Sequence, residues 1–156
     1  NWVMDIESKT NFTIPVVSIK MVKENEFKCY RKKISTPNDC YDLISNFLKD
    51  MDREYFIVVT VDTKNIVTSI NINSIGNLNS SIVHPREVFK TAILSNSASV
   101  IVAHNHPSGD TTPSDEDIAV TRRLKESGSI LGIQLLDHII VGEDGEYISL
   151  RKKGFI

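Results

Sequence analysis

Ala98-Ser99-Val100-Ile101-Val102-Ala103-His104-Asn105-His106-Pro107-Ser108-Gly109-Asp110-Thr111-Thr112-Pro113-Ser114-Asp115-Glu116-Asp117 is the stretch around which the rest of the chain is arranged. The apolar run 98–103 predicts a buried strand, and His104 and His106, two residues apart at its end, then point to the same face. Pro107 and the Gly/Pro-rich residues after it break the strand, and Ser114 opens a helix with Asp117 in its first turn. Two imidazoles at a strand end and one carboxylate at a helix start can converge on a single point. Zinc held by three N/O ligands, with the fourth position left to water, is the catalytic kind of site; structural sites are closed by four protein ligands and are usually rich in Cys. No third His or Cys lies nearby. The stretch therefore predicts an open site in which His104, His106 and Asp117 hold one Zn2+ per chain.

Each residue also has a plainer reading. Ser114-x-x-Asp117 fits a helix capping box, and an isolated His-x-His pair is more often surface or packing than ligand. The conjunction favours the metal: two His on one strand face, a turn rich in Gly and Pro, and a Ser and an Asp returning at a helix N-terminus. Capping and chemistry are also compatible, because spare N–H groups at a helix start suit anionic ligands.

Working outward, 156 residues make one domain of ordinary size, able to bury roughly 68–70% of its unfolded surface. Charged residues at 24% and hydrophobic ones at 40% describe a globular protein. No run approaches the ~18 apolar residues of a membrane span, so no membrane partner is expected. The formal net charge of −2, without a long Lys/Arg run, does not support a dedicated nucleic-acid binder. Lys28, Arg31, Lys32 and Lys33, with Arg151, Lys152 and Lys153, read as a solvated face. Cys29 and Cys40 lack metal-type spacing, which suits a reducing cytoplasm.

Along the chain, residues 1–13 are polar and aperiodic, and 14–22 and 27–34 are strand-like around a turn at 23–26. Residues 1–35 are thus expected as an arm and a strand hairpin packed on a domain spanning 36–156. Ser35-Thr36-Pro37 offers an N-cap followed by Pro at the first helical position. The apolar spacing of Cys40, Leu43, Ile44, Phe47, Leu48 and Met51 predicts an amphipathic helix over 37–51. Residues 55–61 predict a buried strand with Glu54 at its entrance, and 66–72 a returning strand after the turn 62–65. A helix starting at Pro85 is expected to bury Val88, Phe89, Ala92 and Ile93. A helix over 114–127 is expected to stop at Gly128. Strands over 130–136, 138–141 and 146–150 follow, the last two joined at Asp144-Gly145. Strands interleaved with three helices predict the α/β class, a mixed sheet flanked by helices.

The residues His104, His106, Pro107, Ser114 and Asp117 resemble the His-x-His-Pro-(six residues)-Ser-x-x-Asp signature of the JAMM, or MPN-plus, metallohydrolases. The surrounding text is similar to the RadC branch: His84-Pro85-Arg86-Glu87, His104 to Asp110, Pro113-Ser114, Asp137-His138-Ile139-Ile140-Val141-Gly142 and Ser149-Leu150-Arg151. The likeness runs from about Thr36 to the end. It implies a JAB/MPN, cytidine-deaminase-like layered fold in a bacterial cytoplasmic protein. It also implies a zinc metallohydrolase that cleaves a peptide, isopeptide or small amide bond. In that pattern His104, His106 and Asp117 bind the metal, Glu54 is the general base and Ser114 steadies the oxyanion, with Glu87 the substitute should Glu54 prove remote. Asp137 and His138 are expected as outer partners of a ligating imidazole or, equally, as a structural pair. Arg86 is expected to bind a substrate anion or to form a surface ion pair. The alternatives are a DNA-repair or nuclease role, which the RadC label carries and the charge does not support, and a non-catalytic metal-binding module. The helix-hairpin-helix-like segment of larger RadC proteins is not recognisable in these residues. The contiguous letters His104-Asn105-His106 do not make an HNH nuclease, whose residues are spread over a ββα unit.

Overall fold

The structure is a computed structural model that describes residues 12–48, 51–76 and 83–156. Its elements run α1 (Pro37–Leu48), β1 (Tyr55–Val61), β2 (Val67–Ile75), α2 (Pro85–Leu94), β3 (Ser99–Asn105), α3 (Asp115–Leu131), β4 (Gln134–Val141) and β5 (Tyr147–Ser149). The five strands form one mixed sheet in the order β2-β1-β3-β4-β5. Only β3 and β4 run parallel, with α3 as their crossover; the other neighbours are antiparallel. This is the expected α/β layered sheet flanked by helices.

Period-2 alternation along the central strands divides the core into two layers. Ile57, Val59, Val61, Ile101 and Ala103 pack with Cys40, Leu43, Ile44 and Leu48 of α1 on one face. Phe56, Val58, Val100 and Val102 pack with Val88, Phe89 and Ala92 of α2 and Val120 and Leu124 of α3 on the other. The ends of α1 and α3 are written in local sequence. Thr36 Oγ1 accepts from Asp39 N, while Asp39 Oδ2 accepts from the amides of Ser35 and Thr36, so one acid closes the first turn of α1 from both sides. The β1–β2 turn uses Asp62 Oδ1 to accept from Lys64 N and Ile66 N.

A register shift between Val100 and Ile101 in the β3–β4 ladder carries the site. Val100 pairs with Leu135, but Ile101 pairs with Asp137 and Val102 with His138. One extra residue on β4 is a bulge, and a one-residue slip exchanges the faces of everything beyond it. His138 thereby lies beside Val102, on the α3 face that His104 also shares two residues further along β3.

Several expectations change. The strands at 14–22 and 27–34 do not form: residues 12–33 are exposed, apart from a bridge of Lys33 to Ile66, and residues 1–11 lie outside the described residues. A two-stranded hairpin with no covered face is marginal in water. Besides the backbone bond from Val67 N to Lys32 O at 2.8 Å, side-chain contacts with α1 hold this segment, Phe27 edge-on to Phe47 and Arg31 Nη1 to Asp39 Oδ1 at 2.7 Å. Helix α1 ends at Leu48, before Met51, and β2 extends to Ile75. Ile93 is 52% exposed rather than part of the buried face of α2. Gly128 does not stop α3, which runs through it to Leu131 and is capped by Gly132 at φ 71°. The two strands expected over 130–136 and 138–141 are one, β4, which runs through Asp137, while Ile130 and Leu131 still belong to the helix. Among the described residues no helix is long and apolar enough to cross a membrane.

Candidate metal centre

The C-terminal end of β3 and the N-terminal end of α3 meet where the stretch 104–117 folds back. His106 N donates to Val141 O at 2.8 Å, and Gly109 N donates to His106 O at 2.9 Å, turning the chain immediately after the strand. Gly109 and Gly142 make this turn close. Gly109 sits at φ +83°, and a Cβ on Gly142 would stand 2.4 Å from Gly109 O. Ser114 then caps α3 with a complete capping box: Asp117 N donates to Ser114 Oγ at 3.1 Å and Ser114 N donates to Asp117 Oδ2 at 2.8 Å. The box fixes Asp117 while leaving the Ser114 hydroxyl its own proton to donate.

Three expected ligand groups converge here. His104 Nε2 lies 2.9 Å from His106 Nε2 and 3.2 Å from Asp117 Oδ1, and His106 Nε2 lies 3.4 Å from Asp117 Oδ2. A tetrahedral ion with bonds of ~2.0–2.1 Å needs its ligand atoms ~3.3 Å apart, and the two imidazole nitrogens and the Asp117 carboxylate stand near that spacing, Oδ1 toward His104 and Oδ2 toward His106, so this face fits a metal ion. A carboxylate oxygen of Glu54 and a ring nitrogen from each of His104 and His106 also lie within 4.8 Å of one another, close enough to bind a metal ion. His104 is fully buried, Asp117 nearly so, and Glu54 and His106 half-buried. The site is thus open on the side of Glu54 and His106.

The tautomers follow from the outer partners. Asp110 O can only accept, so His106 Nδ1, 2.6 Å away, carries hydrogen and Nε2 faces the site. Thr121 Oγ1 gives its one proton to Asp117 O at 2.7 Å, so it must accept from His138 Nδ1, also at 2.7 Å. His138 Nε2 is then an acceptor, and His104 Nδ1 donates to it at 2.8 Å. That leaves the His104 Nε2 lone pair directed at the site. The chain of bonds closes on the carbonyl of Asp117, itself one of the converging residues.

Burial pushes the His138 imidazole well below the usual histidine range, keeping it neutral. Burial opposes ionisation of Asp117, but hydrogen bonding within the cluster, His106 Nε2 among the donors, outweighs that and holds it far below the usual carboxylate range. The same bond to Asp117 raises His106, with Glu54 contributing from across the site. A proton added at this site is therefore favoured on His106, whose Nε2 faces His104 Nε2 and Asp117.

The remaining expected residues separate. Of the Asp137-His138 pair only His138 reaches a site imidazole. Asp137 turns away, accepting from His138 N at 2.7 Å, Ser149 Oγ at 2.6 Å and Arg151 N at 3.1 Å to bind β4 to the end of β5 and the turn after it. Burial raises its pKa. Arg86 is exposed in the first turn of α2 and is not among the groups that converge at the site. Glu87 pairs with Lys90 at 2.9 Å, and so does not replace Glu54. Thr121 carried no signal in the sequence, since a Thr inside an amphipathic helix reads as ordinary filling; its role depends on β4 being bulged.

Comparison with known proteins agrees. The RadC-like JAB domain matches residues 34–155. A UPF0758 protein of Methanosarcina mazei is 54% identical over 126 residues, 81% of this chain and 55% of the relative. Similar proteins of Shouchella clausii and Clostridium botulinum are each 54% identical, over 132 and 134 residues. The chain spans 55–58% of the length of these relatives. With the match extending from the start of α1 to the end of the sheet and over every residue that meets at the site, the chain belongs to the RadC-like JAB domain family.

Proposed function

We propose that this domain is a zinc-dependent hydrolase of amide bonds, acting on a peptide, an isopeptide or a small amide. The observation that carries this reading is the donor set: two Nε2 atoms on rings oriented by their Nδ1–H bonds and an ionised carboxylate, spaced 2.9–3.4 Å apart, with the half-buried Glu54 beside them. His104, His106 and Asp117 would hold the ion. Zinc bound there would supply Lewis acidity and lower the pKa of a bound water from 15.7 to about 7.

The chain's own residues would then divide the work. Glu54, on the open side, takes a proton from the attacking water and passes it to the leaving amine nitrogen, a role usually worth about 10²–10⁴ in rate. The Ser114 hydroxyl, already oriented by accepting from Asp117 N, donates to the oxygen of the scissile carbonyl as charge grows there. Asp117 stays ionised throughout, so it does not compete with Glu54 for the proton.

Elemental mass spectrometry on protein purified without added zinc, beside His106→Ala and Asp117→Ala, tests the metal. About one equivalent in the parent, lost in both folded variants, is expected. Panels of peptide and isopeptide-linked substrates then test the chemistry, with Glu54→Gln as the control that keeps the metal. No zinc even after reconstitution, or turnover undiminished in Glu54→Gln, overturns the proposal.

A further inference from the structure

Asn105 stands between His104 and His106 in sequence, yet its side chain faces away from them. It is 8% exposed at the end of β3. Its amide spans the gap to the start of β1: Tyr55 N donates to Asn105 Oδ1 at 2.7 Å, and Asn105 Nδ2 donates to Arg53 O at 2.8 Å. The β1–β3 ladder ends one residue earlier, at Phe56 with His104, so the side-chain amide continues the ladder where the two backbones part.

These two bonds bracket Glu54. Arg53 O belongs to the peptide plane before the Glu54 Cα, and Tyr55 N to the plane after it. Peptide units are rigid, so holding both planes restrains both backbone dihedrals of Glu54 and hence the direction in which its Cα–Cβ bond leaves the chain. A third bond, Gly76 N to Glu54 O at 2.8 Å, secures the same turn from β2. Only an amide of this length supplies an acceptor and a donor together. Asp keeps the acceptor but sets a carboxylate against a carbonyl, Ala removes both, and Gln adds ~1.5 Å of reach.

We infer that Asn105 is a positioning residue for Glu54, coupling the general base to the two histidines through one side chain. The inference rests on the proposed role of Glu54. It goes beyond that role by assigning the group that aims it.

Amide hydrogen exchange in Asn105→Ala reads the bracket without any substrate. Faster exchange at Tyr55, with Val59 and Val102 as protected as in the parent, is expected; retained protection at Tyr55, or uniform loss across the sheet, overturns the inference. A crystal structure of zinc-reconstituted Asn105→Ala should show the Glu54 carboxylate displaced and His104, His106 and Asp117 in place, and an unmoved Glu54 counts against it. On any amide substrate the parent turns over, Asn105→Ala should lower kcat by a factor approaching that of Glu54→Gln, about 10²–10⁴, with KM and zinc affinity within about threefold. The double variant should fall no further than Glu54→Gln alone. Multiplying losses would mean that Asn105 acts independently of Glu54. Should the parent cleave no amide at all, the proposed hydrolase fails, while exchange and crystal structure still decide whether Asn105 sets Glu54.

Discussion

His104 Nδ1 and His138 Nε2 share a buried hydrogen bond of 2.8 Å, and the donor in that bond is decided one residue further along the hydrogen-bond chain, by Thr121. Because the Thr121 proton is committed to Asp117 O, His138 must donate to Thr121 and accept from His104. Thr121→Val removes the oxygen at almost constant volume and frees His138 to adopt either tautomer. In ¹⁵N-histidine NMR of the metal-free protein, the His138 and His104 ring nitrogens are expected to move from fixed donor and acceptor positions toward averaged values. His138→Ala should cost about 10–100-fold in zinc affinity, as loss of an outer partner typically does, measured by chelator competition. Unchanged ring shifts in Thr121→Val would contradict the wiring.

The pH dependence follows from two shifts of opposite sign. His106 is raised by Asp117, so the stability of their bond is fully present below the ordinary histidine pKa of about 6.5 and is lost as pH rises through the raised value. Asp117 is lowered, so its contribution is present above the ordinary carboxylate range and disappears as pH falls through the depressed value. Metal-free protein is therefore expected to lose Tm as pH rises from about 6.5 toward 8. Zinc binding requires the His106 Nε2 lone pair and must displace that proton. Calorimetry in buffers of different ionisation enthalpy should show net proton release at pH 6.5 and less at pH 8. Proton release that does not change over that range would mean His106 is not the group displaced.

Ser114 combines a cap and a proposed oxyanion donor, and the two separate by substitution. Ala at an N-cap costs about 1 kcal/mol, whereas Gly costs only a few tenths. Ser114→Gly should thus keep Tm near the parent value and still lose about 10²–10³ in kcat, as removal of one oxyanion donor does. Ser114→Ala should lose both. A Ser114→Gly protein with parental turnover would leave Ser114 as a helix cap alone.

What could be read from sequence depended on how local its cause was. The β-branched run 55–61 forms β1 over the same residues, its uniformly apolar side chains suiting a strand covered on both faces. Asp144-Gly145, at φ 51° and 82°, makes the tight turn between β4 and β5. His104, His106 and Asp117 were legible because strand period and helix start place them together. The apolar hairpin at 14–34 had the right alternation, but it lacked a covering layer, which only tertiary structure supplies. Asn105 and Thr121 were hidden for a related reason. Asn105 acts on backbone 50 and 52 residues away, and Thr121 acts on a ring 17 residues away that a bulge turns toward it. Asp137 and His138 adjoin in sequence, but a strand sends neighbours to opposite faces, so His138 reaches a site imidazole and Asp137 the sheet edge.

Gly128 shows how a helical glycine can be misread and what it contributes. In an exposed helix interior, Ala would stabilise relative to Gly by about 0.5–1 kcal/mol. Here the helix axis passes close to the strand that follows. Ile133 N donates to Gly128 O at 2.9 Å, and a Cβ on Gly128 would stand 2.3 Å from Ile133 O and 3.1 Å from Phe89 Cζ. The carbonyl belongs to the tight return into β4 and cannot yield as a flexible side chain would. Overpacking of this kind typically costs 1–3 kcal/mol, enough to outweigh the propensity gain. Gly128→Ala is therefore expected to lower Tm by several degrees, at about 2–4 °C per kcal/mol for a chain of this size. Gly132→Ala meets no such contact but must hold φ 71°, so its cost comes from backbone strain alone. Zinc stoichiometry should survive both, since the start of α3 is held separately by its capping box. A Gly128→Ala protein as stable as the parent would show that β4 can move away from α3. The His138–Thr121 bond, which spans those two elements, should then lengthen.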